Sequence, residues 1–353
     1  MTMLQELSVQ KLVAQRRAKE ITLIDVRSPS EFEDSTIPGS LNIPLFDDGE
    51  RAEIGTIYKQ VSVEAAKQRG LEIVSAKLPA FINRFADIPG KKAVFCWRGG
   101  MRSKTSATLL SLMGIQADRL TGGYRAYRNW VVDTLGEMEF LPEAIVLHGN
   151  TGTGKTAVLR SLRERGYPVL DLEAYAGHRG SIFGKIGLKG HNQKTFDSLL
   201  VEELIELGDK PYILIEAESR RIGKVVVQEF LMSKKESGIH IVIEMPMAAR
   251  VRHILEDYAP HEHPEDTLAA FKQIKSRIHT PVAAEIEACL QERNYAQAVE
   301  LLIRFYYDPR YAHSFEQYDA DRVSVVRATS VAQATDDVER LIGEYAEMKR
   351  RRP

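Results

Sequence analysis

The sequence predicts two parallel α/β domains in series, the second carrying a helical C-terminal part. Three observations carry this prediction. The chain has 353 residues, too many for one ordinary core. Apolar strand-like runs alternate with helical patterns throughout, which is the signature of a parallel sheet with crossover helices. Twice, such a run delivers the chain into a glycine-bearing loop that opens a helix, at 93–113 and at 144–165. Composition agrees with a soluble globular protein, 44% hydrophobic and 27% charged with a formal net charge of −1. That balance gives no overall nucleic-acid footprint, and the local basic groups Arg220, Arg221, Lys224 and Lys349 to Arg352 read on charge alone as solvated surface. Two distant cysteines, Cys96 and Cys289, argue against a disulfide framework and for a reducing compartment. No signal-type or membrane-length apolar segment occurs, so a cytoplasmic protein without membrane attachment is expected.

The first domain is expected over 1–135. Residues 8–19 read as a helix and Thr22 to Val26 as a buried strand ending in Asp25-Val26-Arg27-Ser28. Ser28-Pro29 starts a helical turn. Ile37-Pro38-Gly39 is a turn before a strand at Leu41 to Ile43, and a helix spans about Val63 to Phe85. The strand Ala93 to Phe95 then presents Cys96, followed by Trp97-Arg98-Gly99-Gly100-Met101-Arg102-Ser103 and a helix to about Met113. Backbone N–H groups in such a loop form a concave anion site, and the helix dipole favours negative charge there. Arg98 and Arg102 add fixed positive charge, which makes Cys96, Arg98 and Arg102 the candidate catalytic set. Thr121-Gly122-Gly123 closes a further strand, and a helix from Ala126 to about Leu135 ends the domain.

After a linker at 136–143, the second domain occupies 144–353. The strand Ala144 to Leu147 leads into Gly149-Asn150-Thr151-Gly152-Thr153-Gly154-Lys155-Thr156 and a helix to about Arg165. This is G-x-x-x-x-G-K-T with a strand before it and a helix after it, the phosphate-cradling P-loop of NTPase-like α/β folds. Gly149, Gly152, Thr153 and Gly154 wrap phosphate oxygens, Lys155 supplies charge, and the Thr156 hydroxyl suits Mg²⁺ if a metal is used. A strand at Pro168 to Leu170 precedes Asp171-Leu172-Glu173 and a polar, glycine-rich segment with His178, Arg179 and Ser181. Such loops beyond strand ends bind ligands in open α/β sheets. The strand Tyr212 to Ile215 runs into Glu216-Ala217-Glu218-Ser219-Arg220-Arg221, where Glu216 or Glu218 is the second acidic residue of a P-loop site and the arginines are candidates to hold phosphate. His178 reads equally as a structural histidine, and Cys289, in an amphipathic helix pattern, as structural. A strand at 239–243, helices over 264–304, a strand near 323–326 and a helix over 331–349 complete the chain.

In motif order, Asp25 to Phe32, Ile37 to Pro44, the cysteine loop and Thr121-Gly122-Gly123 resemble a rhodanese domain. Thr36 stands where many rhodaneses have histidine, and the Cys96–Arg102 loop is one residue longer than that of ordinary sulfur carriers. The longer Cys-x5-Arg spacing is shared with cysteine phosphatases of related fold and suits a phosphate-bearing chalcogen donor or a phosphate ester. Joined to the P-loop domain, and with His178-Arg179-Gly180-Ser181, Glu216 to Gly223 and Tyr307-Asp308-Pro309-Arg310-Tyr311, the whole chain resembles the bacterial tRNA 2-selenouridine synthases. The resemblance implies a transferase acting on tRNA whose wobble uridine carries 2-thiouridine. It implies two co-substrates, geranyl diphosphate for S-geranylation and then selenophosphate for replacement of sulfur by selenium, with no ATP hydrolysis. A selenophosphate-producing enzyme is an implied partner. Other readings of the residues are an ATP-dependent kinase or ligase with a sulfur-relay domain, and a phosphate sensor without turnover.

Overall fold

A computed structural model describes residues 5–311 and 318–351. Part of the terminal basic run, at Arg352, lies outside the described residues. The chain divides into two compact units, Met1–Met138 with Asp197–Val201, and Glu139–Phe196 with Glu202–Pro353.

The first unit is built on a five-stranded sheet. Its strands are β1 (Glu6–Leu7), β2 (Ile21–Asp25), β3 (Leu41–Asn42), β4 (Lys91–Phe95) and β5 (Ala117–Leu120), in the order β1-β5-β4-β2-β3 and all parallel. Both faces are covered by helices, so the central strands are continuous apolar runs. Ile24, Val94 and Phe95 are fully buried, and Ile24 and Val94 pack with Phe85 and Leu110 of the flanking helices. Two elements escape the periodicity argument. The helix Asp48–Gln60 has no buried residue and is held by an Asp47/Glu50 capping box. The strand β1 is two residues long and gains its place only by pairing with β5. The helix Gly123–Glu137 starts at Gly123 and reaches Glu137, and the next strand begins at Glu143, which leaves 138–142 as the connecting segment.

The second unit holds β6 (Glu143–His148), β7 (Val169–Leu170), β8 (Tyr212–Glu216), the short antiparallel pair β9 (Arg221–Ile222) and β10 (Val225–Val226), then β11 (Ile239–Glu244) and β12 (Val323–Arg327). The main sheet runs β12-β11-β6-β8-β7, again parallel. From β6 the chain goes to the edge strand β7, returns to place β8 between the two, then crosses to β11 and β12 on the other side. The carboxyl end of β6 is therefore the topological switch point, where ligands bind in open sheets. Ile145, Leu147, Leu214, Ile241 and Ile243 form the sheet's core with Val158, Leu162, Val338 and Ile342 of the helices. A separate helical core, around Phe271, Ile274, Ile286 and Tyr306, contains Cys289, which is buried there. Among the described residues, no helix is long and apolar enough to cross a membrane.

Candidate active site: two anion loops in separate units

In the first unit, β2, β4 and β5 all end on one edge of the sheet, and their following loops meet there. Cys96 follows β4, is buried, and lies with its Sγ 3.2 Å from the Ser103 Oγ at the start of the helix Met101–Leu112. The loop is pinned from beneath. The Tyr124 and Arg125 amides donate to the carbonyls of Cys96 and Trp97, both at 2.9 Å, and the Arg119 guanidinium donates to the Gly99 carbonyl at 2.9 Å. Only glycine fits at 123: its φ is +60°, and a Cβ would sit 2.1 Å from the Cys96 oxygen.

Two ion pairs frame this loop. Arg27 and Asp25 are fully buried and joined by a forked contact, with Nε–Oδ1 at 3.0 Å and a terminal nitrogen to Oδ2 at 2.6 Å. The Arg27 guanidinium also donates to the Ser35 carbonyl and stacks 4.5 Å from the Tyr124 ring. Thr36, at the histidine position of many rhodaneses, donates its hydroxyl to Asp25 at 2.9 Å. Arg102 pairs with Glu31 through both guanidinium ends, at 2.5 and 3.2 Å. Burial pushes the Glu31 carboxyl up, but the Arg102 guanidinium outweighs it and holds the carboxyl below its ordinary value. Arg98 is exposed, as are Trp97 and Met101 beside it.

In the second unit the Gly149–Thr156 loop follows β6 and opens the helix Lys155–Glu164. Gly149, Gly152 and Gly154 have φ of +152°, +86° and +73°. Lys155 donates to the Gly149 carbonyl at 2.9 Å, and the Thr153 hydroxyl donates to the Asn150 carbonyl at 2.9 Å. The Thr156 hydroxyl donates to Glu173 at 3.0 Å. Glu173 belongs with Glu216 and Glu218, whose ligand-capable oxygens lie within 4.8 Å of one another. Gly180 backs this cluster: a Cβ there would meet Glu218 at 2.4 Å and Glu173 at 2.8 Å. Burial, then the neighbouring carboxylates, push Glu173 up to about 8 and Glu216 well above the carboxylate range. One buried Glu216 oxygen has no hydrogen-bond partner among the described residues. Lys235 donates to the Glu218 carbonyl, and burial pushes its ammonium down to about 8.

The family model described as the tRNA 2-selenouridine synthase AAA domain matches residues 142–340, and the rhodanese-like domain model matches residues 8–129. The chain is 33% identical over 343 residues to the tRNA 2-selenouridine synthase of Bdellovibrio bacteriovorus, which covers 85% of this chain and 90% of that relative. It is 30% identical over 345 residues to the synthase of Nitrosomonas europaea, covering 84% and 89%. The chain belongs to the tRNA 2-selenouridine synthase family. Among solved structures, it is similar to a rhodanese-related protein from Thermoplasma volcanium, 21% identical, with 36% of this chain and 92% of that one covered and a TM-score of 0.23.

Within this family member, the structure distributes the remaining sequence-derived candidates unevenly. Asp171 caps the helix Leu172–Ala176 by accepting from the Ala174 amide at 2.9 Å. Arg179 donates to the Ile186 carbonyl at 2.7 Å, pairs with Asp257 at 3.2 Å and lies over the Tyr258 ring. Ser181 lies 2.9 Å from the Tyr258 hydroxyl. The His178 ring is buried against Gly184 and Gly223, and its Nδ1 has no partner among the described residues; burial holds its pKa below the ordinary value. Arg220 is exposed and pairs with Glu229 at 3.0 Å, and Arg221 is exposed on β9.

Sequence reasoning missed three contributors. Glu173 was visible as a carboxylate just past a strand end, the same signal that marked Glu216. Arg250 and Asp308 carried no local signal for their shared task. Arg250 donates to the Thr151 carbonyl at 2.9 Å and grips Asp308 with two bonds of 2.9 and 2.6 Å, while Asn150 donates to Asp308 at 3.1 Å. Together they fasten the outer half of the phosphate loop.

Proposed function

We propose that this chain converts the wobble 2-thiouridine of tRNA to 2-selenouridine in two half-reactions, one at each anion loop. The observation that carries the reading is the pairing of a cysteine-bearing anion loop with a phosphate loop in one member of this family. In the first half-reaction the thiouridine sulfur attacks C1 of geranyl diphosphate, the C–O bond breaks, and diphosphate leaves with the electron pair while the base loses its N3 proton. The Gly149–Thr156 amides and Lys155 stabilise the developing negative charge. Alkylation turns a poor thione leaving group into a good thiolate. In the second half-reaction the selenium of selenophosphate attacks C2, geranylthiolate leaves and takes a proton, and water cleaves P–Se to give phosphate. The Cys96 loop, with Arg98 and Arg102, holds the selenophosphate, and Cys96 guides its selenium.

A hard divalent cation such as Mg²⁺ fits Glu173, Glu216, Glu218 and Thr156: the donors are all oxygen, and one Glu216 oxygen is buried without a partner among the described residues. Bound there, it would neutralise diphosphate charge.

The test is nucleoside mass spectrometry of 2-thiouridine tRNA incubated with geranyl diphosphate, then selenophosphate, without ATP. A geranyl adduct followed by replacement of sulfur by selenium is expected. Lys155→Ala should abolish both products from 2-thiouridine tRNA but spare selenation of tRNA supplied already geranylated, and Cys96→Ser should abolish the second product only. ATP turnover without adduct would overturn the reading.

A further inference from the structure

The second unit contains a partly open apolar pocket, with about 510 Å³ of empty space when the solvent at its mouth is counted. It shares a wall with the phosphate loop. Thr151 of that loop lines it, and so does Ile254, whose Cδ1 lies 3.0 Å from where a Cβ on Gly152 would stand. Part of the wall is helical, with Leu302 and Ile303 from the helix Tyr295–Leu302 and the wider turn that continues it. Among the described residues, no charged one lines the pocket. Two of its hydroxyl groups, on Ser181 and Tyr258, face each other at 2.9 Å, and Thr267 donates to the His263 carbonyl at 2.8 Å. Those three hydroxyls are satisfied within the protein, while the Tyr295 hydroxyl is buried without a partner among the described residues; the surface the pocket offers an occupant is chiefly carbon. A nucleobase buried here would leave its ring nitrogens and exocyclic groups short of partners, which is costly. A hydrocarbon chain loses nothing by the same transfer and gains by leaving water.

We propose that this pocket receives the hydrocarbon tail of a prenyl diphosphate whose diphosphate lies in the Gly149–Thr156 loop, and that its helical wall sets the chain length accepted. The proposal rests on the geranyl-transfer reading above and adds the place and the selectivity of the tail.

The experiment is calorimetric titration of the full chain with inorganic diphosphate and with diphosphates bearing five-, ten- and fifteen-carbon prenyl chains, beside ATP. The ten-carbon compound should bind roughly tenfold or more tightly than the five-carbon one, because each additional buried carbon adds to the transfer free energy. Leu302→Trp, which fills the pocket, should remove that preference and leave inorganic diphosphate binding unchanged. Ile303→Ala, which enlarges it, should shift preference toward fifteen carbons, and it keeps the test available if the tryptophan variant fails to fold. Equal affinity for inorganic and ten-carbon diphosphate overturns the proposal, as does ATP binding more tightly than any prenyl compound. A tail-dependent affinity with no geranylated tRNA sinks the transfer reading but supports the pocket. Geranylated tRNA with chain-length selection untouched by both variants does the reverse.

Discussion

Replacing Gly123 by alanine tests whether the turn after β5 sets the geometry of the cysteine loop. The new Cβ would stand 2.1 Å from the Cys96 carbonyl oxygen and 2.4 Å from the Gly99 nitrogen. Ordinary contact begins at 3.4 Å, so the loop must retreat by about 1.3 Å. Retreat stretches the two amide bonds from Tyr124 and Arg125, worth about 1 kcal/mol each. Holding alanine at a φ of +60° costs a further ~1–2 kcal/mol. The expected loss of stability is therefore about 3–4 kcal/mol, read by urea denaturation. A displacement of about 1 Å in a reacting group lowers rate by roughly 100-fold, so conversion of S-geranyl-2-thiouridine tRNA to selenouridine should fall by about that factor. Gly136→Ala is the control. It lies in the same helix, its Cβ meets nothing within 4 Å, and it should stabilise by about 0.5–1 kcal/mol. If Gly123→Ala keeps activity within about threefold and stability within about 1 kcal/mol of the parent, the turn does not govern the loop.

Two further outcomes follow from the second unit. Asp308→Asn strips the counter-charge from the buried Arg250 guanidinium; because Asp308 is partly exposed, we expect a stability loss of about 2 kcal/mol, short of that for a fully buried pair, and roughly tenfold weaker geranyl diphosphate binding by calorimetry. Burial, then the His240, Lys235 and Lys155 charges, lower the His148 pKa from 6.5 to about 3, so this imidazole stays neutral in the fold while the unfolded chain takes up its proton first. Its contribution is complete above pH 6.5 and is lost as pH falls toward 3, amounting to about 2 kcal/mol by pH 5; urea midpoints at pH 7.5 and 5 should show that loss, and His148→Gln should flatten it.

The parts of the fold legible in the sequence are those written contiguously. Buried parallel strands are unbroken apolar runs, so 22–26, 93–95, 144–147, 212–215 and 239–243 could be read directly, and each anion loop is a local string between a strand and a helix. What was not legible depends on distant partners. The helix Asp48–Gln60 has no fully buried residue, only Ile54 packed partly against the core, and so shows no strong periodic stripe. The strand β1 exists through its register with β5, more than a hundred residues away. Glu173 becomes part of a carboxylate cluster only because β7 lies beside β8 in the finished sheet. The arginines at 220 and 221 carried the right charge for phosphate, yet that charge does not fix the direction of a side chain, and Arg220 meets Glu229 at the surface.

The fastening of the phosphate loop by Asp308 also bears on the order in which the protein matures on the ribosome. Asn150 and its anchor are separated by 158 positions. At ~5–20 residues per second, about 8–30 s of translation elapse between them. Throughout that interval the loop's glycines and lysine have emerged, but the carboxylate that restrains its outer half has not. The nascent chain therefore carries a recognisable phosphate-binding string before it carries the contacts that fasten that loop.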